Sequence, residues 1–253
     1  MRVILITQNE PFYLKKNLEH LISIWPSNVQ IVGCVVNTVS PFGKSESFLN
    51  KAIKTFNVFG FRFFVHYSLK FITSKIIHSS INSFLEMNRI TNIELISSIN
   101  SKDSLAKIRS FEPDLLVSIL GNQIFKRELL DLAPRGCINL HTGLLPMYRG
   151  LMPTFWVMKN KEKYTGVSVF FVDEGIDSGP IIVQEKVKID GLTQAQLIKL
   201  TKKIGMDLIV KAVKLIFEGD VVLIPNPDSE KTYYSFPTRK DVIEFKKNGN
   251  RFF

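Results

Sequence analysis

Three side chains fall in two neighbouring stretches of this chain. Asn139 and His141 belong to Asn139-Leu140-His141, and Asp177 lies in Asp173-Glu174-Gly175-Ile176-Asp177-Ser178-Gly179. Leu144-Leu145-Pro146-Met147-Tyr148-Arg149-Gly150 runs between them. An amide can hold an oxygen that gains negative charge. An imidazole carries or shares a proton near neutral pH. A carboxylate orients an imidazole and sets its charge. Those are the needs of acyl transfer. Taken singly, each residue has a plainer reading: a polar strand end, a structural histidine and a turn-forming aspartate. The combination carries the chemistry.

The elements that must position these groups read as an alternation. A short apolar run at 2–7 is a buried strand, and residues 12–24 form a helix with Leu14, Leu18, Leu21 and Ile22 on one face. Val29 to Val36 is a second strand and Ile93 to Ile96 a weaker third. Leu105 to Phe111 suits a helix that ends before Pro113. Asp114 to Leu120 is a strand, Ile124 to Leu132 a short helix, and Gly136 to Leu140 a strand that delivers His141 to its carboxyl end. After a helix at Pro153 to Lys159 come strands at about 165–173 and 180–189. Thr193 to Phe217 is a long helix, capped by Thr193 and closed near Gly219.

Alternating strands and helices predict an α/β fold: a doubly wound, Rossmann-like, mostly parallel sheet with helices on both faces. Ligands in such sheets lie beyond the carboxyl ends of the strands. Asn139 and His141 are two apart in extended chain, so both face one side of that edge. The expected division is a main domain over 1–219 and a short appendage over 220–253.

Composition sets the outer bounds. The chain has 253 residues and a formal net charge of +10, which invites anionic partners. Cys34 and Cys137 form no pair motif, so neither a disulfide framework nor a cysteine metal site is expected. No uncharged apolar run reaches transmembrane length, and the start is too short for a signal peptide. Cytoplasm is the expected location. Residues 47–85 stand apart, with no Asp or Glu but with Lys51, Lys54, Arg62, Lys70 and Lys75. Phe59 to Ile77 reads as one helix, with Arg62, His66 and Lys70 in a row and Phe63, Phe64, Phe71 and Ile72 as apolar surface. A basic helix of this kind either meets a membrane surface or a partner, or covers the sheet with its basic side in water. The second reading is the commoner one.

At Asn139-x-His141, the 144–150 loop, Thr165-Gly166-Val167 and 173–179, the chain resembles the folate-dependent formyltransferases. That group includes methionyl-tRNA formyltransferase, glycinamide ribonucleotide formyltransferase and the nucleotide-sugar N-formyltransferases. The resemblance is strong over about 112–189. It implies 10-formyl-tetrahydrofolate as co-substrate and no metal. It implies Asn139 and His141 as stabilisers of the oxyanion, and Asp177 as the partner of His141 that helps move protons. Oxyanion donors contribute about 2.7–4 kcal/mol each. By matching positions it also implies a folate pocket from Leu120, Asn122, Gln123, Ile124 and Phe125, with Val172, Asp173, Glu174 and Gly175.

The amine acceptor is less constrained. The tRNA enzymes of this group carry an additional β-barrel domain, and too few residues follow the long helix here for one. The purine enzymes carry a glycine-containing phosphate loop after the first strand; here it reads Thr7-Gln8-Asn9-Glu10-Pro11. Nucleotide-linked amino sugars, used for surface polysaccharide, therefore become the leading acceptor, with tRNA or another amine second and a non-catalytic or membrane-surface binding module third. Thr7, Gln8, Asn9, Tyr148 and Arg149 are the candidate acceptor contacts. Tyr233 to Arg239 offers aromatics for a base or sugar and an arginine for phosphate. The many Phe residues leave room for a homodimer.

Overall fold

A computed structural model describes residues 1–37, 47–77, 81–119 and 123–253. Seven strands form one sheet in the order β3-β2-β1-β4-β5-β7-β8. They are β1 (Arg2–Gln8), β2 (Gln30–Asn37), β3 (Thr91–Asn92), β4 (Leu115–Ile119), β5 (Cys137–His141), β7 (Tyr164–Phe171) and β8 (Ile181–Lys188). The first five in that order are parallel, while β7 and β8 run antiparallel. This is the α/β, Rossmann-like architecture that the alternation predicts. The weak strand expected at Ile93 to Ile96 does not form there: the edge strand lies just before it, at Thr91–Asn92, while Ile93 is buried in the core and Ile96 is exposed.

Two apolar layers sandwich the sheet, so its strands are buried on both faces. Val3 and Leu5 of β1 join the larger layer, whereas Ile4 and Ile6 join the smaller. The larger layer is covered by α1 (Leu14–Ser23), α7 (Pro153–Lys159) and α8 (Gln194–Glu218). The smaller is covered by α5 (Lys102–Arg109) and α6 (Arg127–Leu130), through Ile108 and Leu129. Thr193 and Gln196 form a reciprocal capping box at the start of α8, and Gly219 ends it in the left-handed region. Gly205 lets α8 lie close on β5: a Cβ there would come 2.6 Å from Leu140.

The basic, Phe-rich segment is helical: α2 (Phe48–Phe59), α3 (Phe61–Ile77) and α4 (Ile81–Met87). Gly60, at φ 85°, separates the first two, so the helix expected from Phe59 starts at Phe61. Its basic row does not face water as a unit. Lys70 Nζ turns inward to Tyr13 Oη at 3.0 Å, and His66 stacks on Phe253. Phe63 packs on Phe59 and Phe252, whereas Ile72 points outward.

The segment after α8 returns across the body of the protein. A 3-10 turn at Asp228–Glu230 leads to β9 (Tyr233–Tyr234), which pairs in parallel with β6 (Arg149–Gly150). Then α9 (Arg239–Lys247) sends Val242 and Phe245 into the larger apolar layer, and Phe252 follows. The backbone of Arg251 and Phe252 accepts from Gln194 and Ala195 at the first turn of α8. Residues 220–253 thus share the core of the main body.

Candidate active site

The site begins with the register of β5. Ile138 and Leu140 belong to the larger apolar layer and Cys137 to the smaller. Asn139 and His141 therefore point to the α5/α6 side, at the carboxyl end of the strand. Asn139 pairs with Ser118 of β4, which in turn pairs with Ile6 of β1. Oδ1 of Asn139 is buried without a hydrogen-bond partner. A buried acceptor left unpaired asks for an explanation, and a missing ligand is one.

His141 is 6% exposed and lies between two acceptors. Its Nε2 donates to the Tyr148 carbonyl at 2.8 Å, and its Nδ1 stands 3.4 Å from Asp177 Oδ2. Asp177 Oδ2 also accepts from the Gly150 amide at 2.8 Å. Asp177 itself sits at φ +50°, in the left-handed region that few residues other than glycine enter. The amide, the imidazole and the carboxylate named from the sequence are thus gathered at one edge of the sheet.

What holds Asp177 in that conformation comes from far along the chain. Nδ2 of Asn226 donates to the carbonyls of both Asp177 and Gly179, each at 2.9 Å. Arg149 in turn grips Asn226, donating from Nη2 to its backbone carbonyl and its Oδ1 at 3.0 and 2.9 Å. Nη1 of Arg149 reaches Asp228 at 2.7 Å. The loop before Pro146 is held separately, by Ser168 donating to the Gly143 carbonyl and Gln184 donating to that of Leu145. The sequence reading missed Asn226, Asp228, Ser168 and Gln184. Asn226-Pro227 carries a turn signal, but nothing local ties it to Asp177. Replacing Asn226 by Ala leaves the Asp177 and Gly179 carbonyls without this donor, at about 1–3 kcal/mol for each buried group left unpaired, and removes one of the bonds of Arg149. We expect a lower melting temperature and a kcat reduced about 10–100-fold through misplacement of Asp177, with the KM for the donor nearly unchanged. A kcat equal to that of the native protein would remove Asn226 from this positioning role.

The other sequence-named residues divide. Leu120 and Asn122 lie outside the described residues. Gln123 and half-exposed Ile124 line a cavity of about 620 Å³ beyond β2, together with Asn37 and Ser97. Asn139, His141 and Asp177 are not among its described walls. Phe125 is core, packed in the smaller layer beside Val172. Asp173 accepts from the Gly175 amide and the Ser178 hydroxyl, which fixes its loop, while Glu174 is exposed. Thr7 lies at the correct edge, but it belongs to the row of Val3 and Leu5, so Gln8 rather than Thr7 shares the face of Asn139. Asn9 is exposed.

Tyr148 and Arg149 are turned inward instead of lining an open acceptor site. Tyr148 donates to Glu162 and stacks on Tyr234, and burial pushes its phenol upward. Arg149 is 3% exposed and committed to the C-terminal segment. Among the tail aromatics, Tyr234 stacks between Tyr148 and Trp156, whose indole also donates to the Ser235 carbonyl. Tyr233 is half-exposed beside Gly150. Arg239 reaches back to the Val58 carbonyl.

The loop after β1 has its own anion. The Glu10 carboxylate accepts from the amides of Phe12 and Tyr13 at 3.0 and 2.9 Å, at the start of α1. Lys202 lies 3.5 Å from it, with its ammonium pushed down by burial. Lys202 and Lys70 both stand over the Tyr13 ring. A helix start that could receive a ligand phosphate is occupied by a side chain.

Residues 86–213 match the model of the formyl transferase family. The chain belongs to this family. Among its relatives is the methionyl-tRNA formyltransferase of Kosmotoga olearia, 36% identical over 163 residues, which are 62% of this chain and 51% of that protein. The enzyme of the same name from Carboxydothermus hydrogenoformans is 34% identical over 168 residues, 66% of this chain and 54% of that one. This formyl transferase family member spans about half the length of the curated relatives it matches. A sugar N-formyltransferase from Shewanella sp FDAARGOS_354 superposes with a TM-score of 0.62 at 19% identity, covering 98% of this chain and 87% of that one. An N-formyltransferase from Helicobacter canadensis, in complex with folinic acid and dTDP-3-aminofucose, gives 0.57 at 18%, over 94% and 71%. At these identities the structures speak for the fold.

Proposed function

We propose that this protein transfers a formyl group from 10-formyl-tetrahydrofolate to a primary amine, and that the amine belongs to a nucleotide-linked amino sugar. The observation that carries the reaction is the pairing of His141 with Asp177 beside an Asn139 whose amide oxygen lacks a partner. The unpaired Oδ1 is an acceptor, so it fits an N–H of the attacking amine, which leaves the Nδ2 donor for the formyl oxygen. When bound, the folate supplies an activated formyl carbon. Asn139 donates to the formyl oxygen as it gains charge, and His141 adds positive charge beside it. The amine nitrogen bonds to the formyl carbon as the carbon's bond to the folate nitrogen breaks. The proton shed by the amine passes by way of Asp177 and water to the departing folate nitrogen. Gln123 and Ile124, which line the cavity beyond β2, are the described residues proposed to meet the folate.

Two features favour an amino sugar. Glu10 fills the helix start that would hold a terminal phosphate. Tyr233 leaves an aromatic face exposed next to the Gly150 amide that anchors Asp177, suited to stacking on a sugar or base. The second reading, a tRNA acceptor, has the sequence similarity to methionyl-tRNA formyltransferases behind it. The test is a panel: the purified protein, 10-formyl-tetrahydrofolate, amino sugars on dTDP, UDP and GDP, glycinamide ribonucleotide and charged initiator tRNA. A mass gain of one formyl group on an amino sugar is expected. Formylation of tRNA alone overturns the acceptor, and no formyl addition to any member overturns the reaction.

A further inference from the structure

The α2–α3 hairpin leaves an apolar face uncovered. The ring pairs Phe56–Phe64 and Phe48–Phe71 show that the two helices run antiparallel side by side. On α3, Phe61, Val65, Leu69 and Ile72 recur at i, i+4, i+8 and i+11, which places them in one stripe. All four are exposed, Phe61 at 69% and Leu69 at 59%. On α2, Leu49 and Ile53 lie on the adjoining outer side, at 67% and 50% exposure. The inward sides are spent elsewhere: Phe59 and Phe63 in the core, Tyr67 against Phe12. A contiguous apolar face of this kind marks a contact with something.

Charge selects the occupant. No carboxylate occurs anywhere in 47–85. Arg62 stands next to the stripe and is exposed. At the Gly60 end, α9 adds exposed Arg239 and Lys246, whose groups approach the carbonyls of Val58 and Phe59. The two carboxylates of α9 nearest this edge, Asp241 and Glu244, are engaged by Lys159. A second copy of the chain would bring these cations against themselves across a two-fold axis, with no acid in the hairpin to answer them. An anionic bilayer answers both features, taking the apolar stripe into its interface and the cations at its headgroups. No helix among the described residues is long and apolar enough to cross a membrane, so the contact is peripheral. We propose that the outer face of the α2–α3 hairpin docks this protein on an anionic lipid surface. The proposal does not depend on the acceptor.

The test is flotation of the full chain with vesicles of phosphatidylcholine alone and of phosphatidylcholine mixed with phosphatidylglycerol. The native protein is expected to float with the mixed vesicles only, less so as salt rises. Phe61→Ser with Leu69→Ser removes exposed surface only, so its melting curve should match that of the native protein. Its bound fraction should fall roughly tenfold or more. Arg62→Glu, an exposed change, should weaken binding at low salt and erase part of the salt dependence. Native protein that stays in the soluble fraction with mixed vesicles overturns the proposal. So does a native dimer in light scattering that becomes a monomer in the double-serine variant, since the face then belongs to a second copy.

Discussion

Replacing His141 by Ala is expected to lower kcat by about 10²–10⁴-fold, the span of a lost positive charge beside the oxyanion and a lost partner that orients Asp177. The fold should survive, because His141 sits at the end of β5 and its two partners are held by other bonds. Tyr148 keeps the bond from its own amide to Thr232. Asp177 keeps Gly150. Asp177→Asn is the sharper probe. Its amide oxygen can still accept from Gly150 and from the imidazole, so the geometry is retained and only the negative charge is lost. A fall of about 10²-fold or more in kcat, with unchanged thermal melting, is the expected result. The measurement is single-turnover formyl transfer to whichever acceptor the panel identifies. Turnover close to native in either variant would dismiss the roles assigned to the pair.

Gly179→Ala is expected to lower both stability and turnover. A Cβ at this position would stand 1.8 Å from the Phe171 carbonyl oxygen and 2.9 Å from its carbon. Neither can yield cheaply, because Phe171 is bound through its amide to Pro180 at the mouth of the β7–β8 turn. The turn must open. Overpacking of this kind costs about 1–3 kcal/mol, and a backbone obstacle puts the change at the upper end. For a chain of this size each kcal/mol lowers Tm by roughly 2–4 °C. Opening the turn also breaks the Asn226 bonds to Gly179 and Asp177, so kcat should drop about 10²-fold as the carboxylate moves. Thermal melts and kcat on the same preparation check both. A variant that melts and turns over as the native protein does would show that the loop shifts without moving Asp177.

The parts of this fold that declare themselves in sequence are those whose information is local. The strands β1, β2, β4 and β5 are apolar runs cut off by polar residues, and Thr193 and Gly219 mark the ends of α8 by capping chemistry. The chemistry-bearing triplet is legible for the same reason, since Asn139 and His141 share a strand face by spacing alone. The direction of Thr7 is not local. Both faces of β1 are buried, so its apolar run has no alternation to assign odd and even residues to a side. Arg149 and Tyr148 read as surface groups because arginine and tyrosine usually are. Their burial rests on Asp228, Asn226 and Tyr234, which lie 77 to 79 residues away for Arg149. Asn226 is hidden twice over, in a Pro-rich segment with no periodicity and acting on backbone carbonyls rather than side chains. The inward turn of Lys70 likewise depends on Phe12 and Tyr13, which the helix pattern of α3 does not contain.

The stack of Tyr148, Tyr234 and Trp156 has an optical consequence. The chain has two tryptophans. Trp25 donates to the Val29 carbonyl in the turn between α1 and β2, far in sequence from the tail. Trp156 is different: its indole lies on the Tyr234 ring and its N–H ends on the Ser235 carbonyl. The same stretch of tail that packs on this indole also carries Asn226, which donates to the Asp177 carbonyl. A shift in Trp156 emission is therefore the expected, unlabelled sign that the tail has released the Asp177 carbonyl.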